Sequence, residues 1–318
     1  MHISPVRYRQ IAIGALIALA IIIVTGAAVR LTNSGLGCDD WPKCSSERFV
    51  DVSSPHAAVE QLNRLFTGVV GVAVIAAVLG SFVRTGPRRR DLVRLSLLLV
   101  LGVIGNAVLG GISVLVDLNP IAVQGHLLLS MACIVAGTVL VRRAGEPDGV
   151  PRRRTVSRPT QRLTWVLGGV IGVVLFTGTL VTGAGPHAGD ADAERLGLAI
   201  PAVARVHGVA MLTSLAIIVL IAWRIRTIAT DRRVLTSVLS TWIVVGLMQA
   251  AIGYIQYFSG VPALLVGLHV AGATAVTFVT TQMVLATSTP DPARTPDTPP
   301  THDDTPAHGV ASGFHSMS

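Results

Sequence analysis

The chain has 318 residues, 51% of them hydrophobic and only 13% charged, with a formal net charge of +8. Soluble domains carry about 25% charged residues, so a soluble globular protein is excluded and an all-α integral membrane protein is expected. The excess of Lys and Arg falls in short segments between apolar runs, which points to membrane topology and anionic lipid headgroups and away from a nucleic-acid partner.

Spanning a bilayer as a helix takes about 20 apolar residues. Eight stretches meet this, near 10–30, 60–83, 93–115, 120–141, 162–182, 201–223, 234–257 and 262–286. The first follows Arg7 and Arg9 and ends near Gly26-Ala27-Ala28, as a cleaved signal would. Its apolar run is longer than a usual signal core, and its counterpart at 162–182 is a full span, so it reads as a retained helix. Most Lys and Arg lie at the N-terminus or near 84–94, 142–162 and 224–233. The positive-inside rule therefore puts both termini in the cytoplasm of a multi-pass cell-membrane protein.

The chain divides into 1–145 and 161–286, two pseudo-symmetric four-helix bundles, joined by a basic cytoplasmic linker at 146–160. An internal repeat supports the division. Thr25-Gly26 matches Thr177-Gly178, Asn63 takes the place of His207, and His126 takes the place of His269. Residues 287–318 are rich in Pro, Thr, Asp and Ser without apolar periodicity and read as a disordered tail. His302, His308 and His315 belong to it, with spacing too irregular for a metal site.

Ionisable side chains inside a bilayer are costly and mark function. His126, His207 and His269 each follow a proline at the start of a span by six or seven residues. At 1.5 Å per residue that places each imidazole about 9–10 Å below the outer boundary. In an up-down bundle the second and fourth helices face each other across the core, where cofactor sites are built. His207 and His269 are thus expected to be the axial ligands of one haem b. Zinc would require further ligands that neither half supplies. The first half offers His126 as the ligand of a haem iron, with Asn63 facing it. Such a site suits a haem that comes and goes as substrate, or else marks a decayed site. Arg30, Arg64 and Arg205 stand at the level of haem propionates and could equally meet lipid phosphates. Asn106, Gln249 and Gln256 read as interhelical glue, and Gly102, Gly105, Gly110, Gly111, Gly246 and Gly253 as places of close helix contact. Cys133 reads as an inert core residue.

After the first span the chain reads Val29-Arg-Leu-Thr-Asn-Ser-Gly-Leu-Gly-Cys38-Asp-Asp-Trp-Pro-Lys-Cys44. This run resembles the first outer loop of the haem A synthase family, and the resemblance extends over the eight spans and the histidine positions. It implies oxidation of the C8 methyl of haem O to the formyl group of haem A. It also implies a disulfide between Cys38 and Cys44, either structural or exchanging with a thiol partner, and a functional carboxylate at Glu60. An alternative role for Glu60 is an interfacial pair with Arg64 or Arg205. Lying one turn before Asn63, Glu60 is expected to share its face toward one cavity. The chain departs from the family pattern where many members have His in place of Asn63, and where some carry a second Cys pair between positions 183 and 201. Implied partners are haem O, the protohaem farnesyltransferase that makes it, an electron acceptor that the sequence does not identify, and an aa3-type oxidase as recipient; homo-oligomerisation is left open. The rival readings are a haem chaperone or transporter and a cytochrome b-like electron carrier.

Overall fold

The computed structural model describes residues 2–291. Its eight long helices are α1 (Pro5–Leu31), α2 (Pro55–Val83), α3 (Arg90–Leu115), α4 (Pro120–Ala144), α5 (Arg158–Ala184), α6 (Ile200–Ile225), α7 (Ala229–Phe258) and α8 (Ala263–Ala286). All eight are long and apolar enough to cross a membrane. The chain is an all-α, multi-pass membrane protein. Several helices begin before the apolar runs that announced them, because polar caps and prolines set the true starts. Ser4 accepts from the Arg7 amide ahead of Pro5, Ser54 from the Ala57 amide ahead of Pro55, and Asn119 from the Ile121 amide ahead of Pro120. A capping side chain satisfies an amide the helix cannot, and proline at the first position loses no bond.

Consecutive helices pack as hairpins, and each set of four closes into a ring: α1 against α2 and α4, α3 against α2 and α4, then the same pattern for α5–α8. This ordering leaves α2 diagonal to α4 and α6 diagonal to α8. The seam between the rings is built by α1 and α4 against α8, and by α4 against α5. Each ring has its own core. Tyr8, Leu92, Leu99, Ile134 and Leu140 fill the first, and Leu167, Ile221, Leu235, Trp242 and Met283 the second. Leu175 and Phe278 touch both cores across the seam. Outward positions such as Leu62, Val72, Leu101, Val209 and Leu264 are large, apolar and exposed, as a lipid-facing surface requires.

At the end bearing the termini, the linker between the rings is pinned by charge. Arg84 and Arg89 both bind Asp148, at 2.8 and 3.0 Å, while Glu146 collects Arg142, Arg143 and Arg152. Burial alone would push the Asp148 carboxyl up. Hydrogen bonds from Arg84 and Arg89 and their charges outweigh it and hold the group below the usual carboxylate range.

Two elements correct the sequence reading. Residues 152–154 of the linker form strand β1, which pairs antiparallel with β2 (Ser288–Pro290) in register Arg153 to Thr289. The segment following α8 is therefore ordered at its start, where disorder was expected from 287 onward. Its backbone polar groups find partners in the linker, which composition alone does not reveal. The rest of the expected tail, including His302, His308 and His315, lies outside the described residues.

Candidate haem sites

In the second ring, α6 and α8 bring His207 and His269 together with ring centroids 6.3 Å apart and ring planes inclined at 72°. Two metal–imidazole bonds of about 2 Å, plus the distance from each bonding nitrogen to its ring centre, span roughly this separation. The His207 Nδ1 lies 3.1 Å from the Val174 carbonyl oxygen and 3.2 Å from the Thr177 hydroxyl. A carbonyl only accepts, so Nδ1 carries the proton and Nε2 keeps its lone pair. A second contact of this kind fixes the tautomer and ring angle of a metal-binding imidazole. Both histidines line a cavity of about 720 Å³, within the 300–1,000 Å³ range of cofactor sites. Arg205 and the aromatic Tyr254 and Tyr257 also line it, together with Leu127 and Met131 from α4. Buried polar atoms without partners face the same region: His269 Nδ1, Gln249 Oε1 and Gln256 Oε1. The donor set and the space fit a haem held by His207 and His269, and Arg205 lies on the wall of the same cavity.

Glycines stand behind the rings. A Cβ on Gly178 of α5 would lie 3.2 Å from His207 Cε1, and one on Gly253 of α7 would lie 2.9 Å from His269 Cε1. The first ring repeats the arrangement, since a Cβ on Gly110 of α3 would lie 3.1 Å from His126 Cε1. Gly110 and Gly253 had been read as places of close helix contact alone. What they admit is the imidazole edge. Gln249 further donates to the His269 carbonyl at 2.8 Å, and Asn106 accepts from Ser130, whose hydroxyl bonds the His126 carbonyl at 3.2 and 2.9 Å respectively. The glue residues thus brace the histidine turns.

Asn63 departs from His207 in chemistry and keeps its setting. Its Oδ1 accepts from Thr25 at 2.8 Å, where Thr177 meets His207 in the other half. Gly26 leaves the neighbouring space open, with Asn63 Nδ2 4.0 Å from the place of a Cβ. Asn63 stands on α2 and His126 on the diagonal helix α4. The Thr-Gly pair repeated at 25–26 and 177–178 was the sequence signal for these flanking contacts.

Glu60 lies on α2 one turn before Asn63. It is buried, its Oε2 accepting from the Cys38 amide at 2.8 Å and its Oε1 from Arg64 at 2.7 and 3.0 Å. Arg64 completes the clamp by donating to the carbonyls of Asp40 and Lys43 at 3.0 and 2.9 Å. Arg64, a candidate propionate contact, is thus bonded to Glu60 and to the loop. Cys38 and Cys44 form a disulfide that closes this loop into a ring, and both cysteines are buried against Ala57 of α2. Trp41 at the ring's tip lies over Gly111 of α3, where a Cβ would come within 2.4 Å of its indole. The ring covers the end of α2 and α3, close to Gly110 and His126. Arg30 does not line the large cavity and stands at the seam, donating at 2.9 Å to the carbonyl of Thr182 on the cavity wall.

The family model of the cytochrome oxidase assembly protein COX15-CtaA matches residues 9–55 and 47–189, more than half of the chain. The chain belongs to this family. Among curated relatives, the heme A synthase of Lysinibacillus sphaericus (strain C3-41) is 28% identical over 144 residues, covering 45% of this chain and 47% of that protein. The heme A synthase of Bacillus pumilus (strain SAFR-032) is 29% identical over 130 residues, or 40% and 42% of the two chains. The chain thus spans about half the length of the curated relatives it matches. The family match runs through the disulfide ring, Glu60, Asn63 and His126 and stops ahead of His207 and His269.

Proposed function

We propose that the protein is a haem A synthase, an oxidoreductase that converts the C8 methyl of haem O to a formyl group. The observation that carries the reading is the inequality of two otherwise matched sites: a paired-imidazole cavity in the second ring, and a single imidazole opposite Asn63 in the first. Paired ligands suit a resident haem b, held by His207 and His269. One ligand suits a haem that must arrive and leave. Relatives bearing the name heme A synthase support the same assignment.

His207 and His269 would hold the haem, which when bound would relay electrons toward an acceptor. The chain's own residues do the rest. His126 offers one nitrogen to the iron of haem O and fixes its position, while Asn63, tied to Thr25, leaves the opposite side without a strong ligand. Glu60 is the carboxylate assigned to the methyl centre, where it steadies positive charge developing on that carbon. The Cys38 amide and Arg64 hold it in place. Each of two successive hydroxylations of the methyl takes its oxygen from water, passes two electrons to the acceptor and releases two protons; the resulting geminal diol loses water to the aldehyde. The lipid-facing surface admits the farnesyl tail. The farnesyltransferase that makes haem O is the natural donor and an aa3-type oxidase the recipient. The distribution of Lys and Arg supports a cell-membrane topology with both termini in the cytoplasm and both sites toward the outer face.

The deciding experiment is expression in membranes that make haem O but not haem A, followed by chromatography and mass analysis of extracted haems. The formyl product is expected, and Glu60→Ala should abolish it while bound haem persists. Haem O recovered unaltered beside bound haem b would overturn the enzyme and leave a carrier or chaperone.

A further inference from the structure

At the seam, near the end that carries the disulfide ring, three buried nitrogen donors lack any partner: Arg30 Nε, Arg195 Nη1 and Gln124 Nε2. Arg30 and Gln124 line one small cavity between α1, α4 and α5, and Arg195 stands within electrostatic reach of Arg30. Neither arginine forms an ion pair among the described residues. Two like charges within electrostatic reach of each other, partly withdrawn from water, are costly unless something negative lies near them. The cavity also touches Pro120 and Val123 in the first turn of α4, where the positive end of the helix dipole favours an anion. Its polar wall otherwise consists of Thr179, Thr182 and the exposed Glu194, which pairs with neither guanidinium. The Thr182 carbonyl and the Thr179 hydroxyl are already engaged, the first by Arg30 and the second by the Phe176 carbonyl. All three orphans donate. A group with acceptors only is what they lack.

We propose that Arg30, Gln124 and Arg195 form a binding site for one small anion of carboxylate or halide size, placed between the two rings. The cavity measures about 20 Å³, room for a single small group and far from enough for a haem. It shares Leu127, Thr179 and Thr182 with the wall of the large cavity. The anion therefore has two possible sources: a free ion from solution, or a carboxylate arm of the cofactor next door. The second source rests on the proposed haem at His207 and His269, and the first does not. Either way the bound charge ties α1 and the loop before α6 to α4, so that occupancy of the seam couples the two halves.

The test uses the purified protein with its haem as isolated, formate as probe at constant ionic strength, and thermal unfolding as readout. If the ion comes from solution, formate raises the midpoint saturably, by about 2–5 °C, and Arg195→Gln and Gln124→Leu each abolish the rise. If the cofactor supplies the carboxylate, formate has no effect, and both variants speed haem transfer to apomyoglobin about tenfold, with no such change for haem dimethyl ester. Equal formate responses in the native chain and both variants would overturn the site. So would no formate response together with unchanged haem transfer. A formate response confined to Glu194→Gln would also overturn it, by making Glu194 the internal counter-ion.

Discussion

The two rings of four helices place different side chains in similar settings, Asn63 and His126 in the first and His207 and His269 in the second, and the contrast separates what fixes a side chain's position from what the proposed chemistry needs. In each ring a threonine one helix away meets the side chain at 63 or 207, a glycine admits the edge of the imidazole at 126 or 269, and a polar side chain braces the backbone of that turn. These shared features fix position. Above the first ring sits the disulfide ring clamped to Glu60 and Arg64. The second ring is closed instead by a loop without cysteines, in which His187 Nε2 bonds the Val261 carbonyl at 2.8 Å. Position is common to both halves, and the apparatus over the site is not.

The sharpest way to break this comparison is to remove one ligand from the paired site. His207→Ala or His269→Ala should abolish the bis-imidazole absorption spectrum of the purified protein, whereas His126→Ala should leave it intact. Equal losses from all three would mean that the halves do not divide the labour as proposed. The reverse experiment makes the halves alike. Asn63→His finds Thr25 and the open space at Gly26 already waiting, and it should give a second low-spin haem signal in the absorption spectrum.

A finer probe places a methyl group behind each ring. Gly253→Ala, at 2.9 Å from the imidazole, should weaken haem retention more than Gly178→Ala at 3.2 Å. Gly110→Ala should act on the first site only, and titration with haem distinguishes the three. Weaker still, Arg64→Gln should lower stability by about 1–3 kcal/mol, because the Glu60 carboxylate then lies buried with only the Cys38 amide. Thermal unfolding measures this, and limited proteolysis should cut the 38–44 segment sooner. The smallest effect concerns the linker. Asp148 titrates below its ordinary range in the folded chain, so its contribution is complete above the unfolded carboxylate pKa of about 3.9 and is lost as pH falls through the lower folded value. Asp148→Asn should remove that acid-dependent component, worth no more than about 1 kcal/mol for a partly solvated pair.

Eight spans, the repeat and the three membrane histidines were legible because hydropathy and proline position act within one helix. What lay hidden depends on which helices meet. Gly110 and Gly253 look like any other small residue until α3 and α7 are seen against the histidines of α4 and α8. Glu60 gave no sign that its partner would be a backbone amide across the loop, since an amide has no letter in the sequence. The β1–β2 pair joins two three-residue segments far apart in the chain, too short for any alternating pattern.

The clamp on the disulfide ring has one further consequence. Glu60 grips an amide, and Arg64 grips the carbonyls of Asp40 and Lys43. The helix thus recognises the path of the loop and ignores the side chains it carries at 39 and 43. Those positions can be recoded in charge or size while the docked shape persists, which makes the rim of the first site a surface free to suit whatever delivers or collects its ligand.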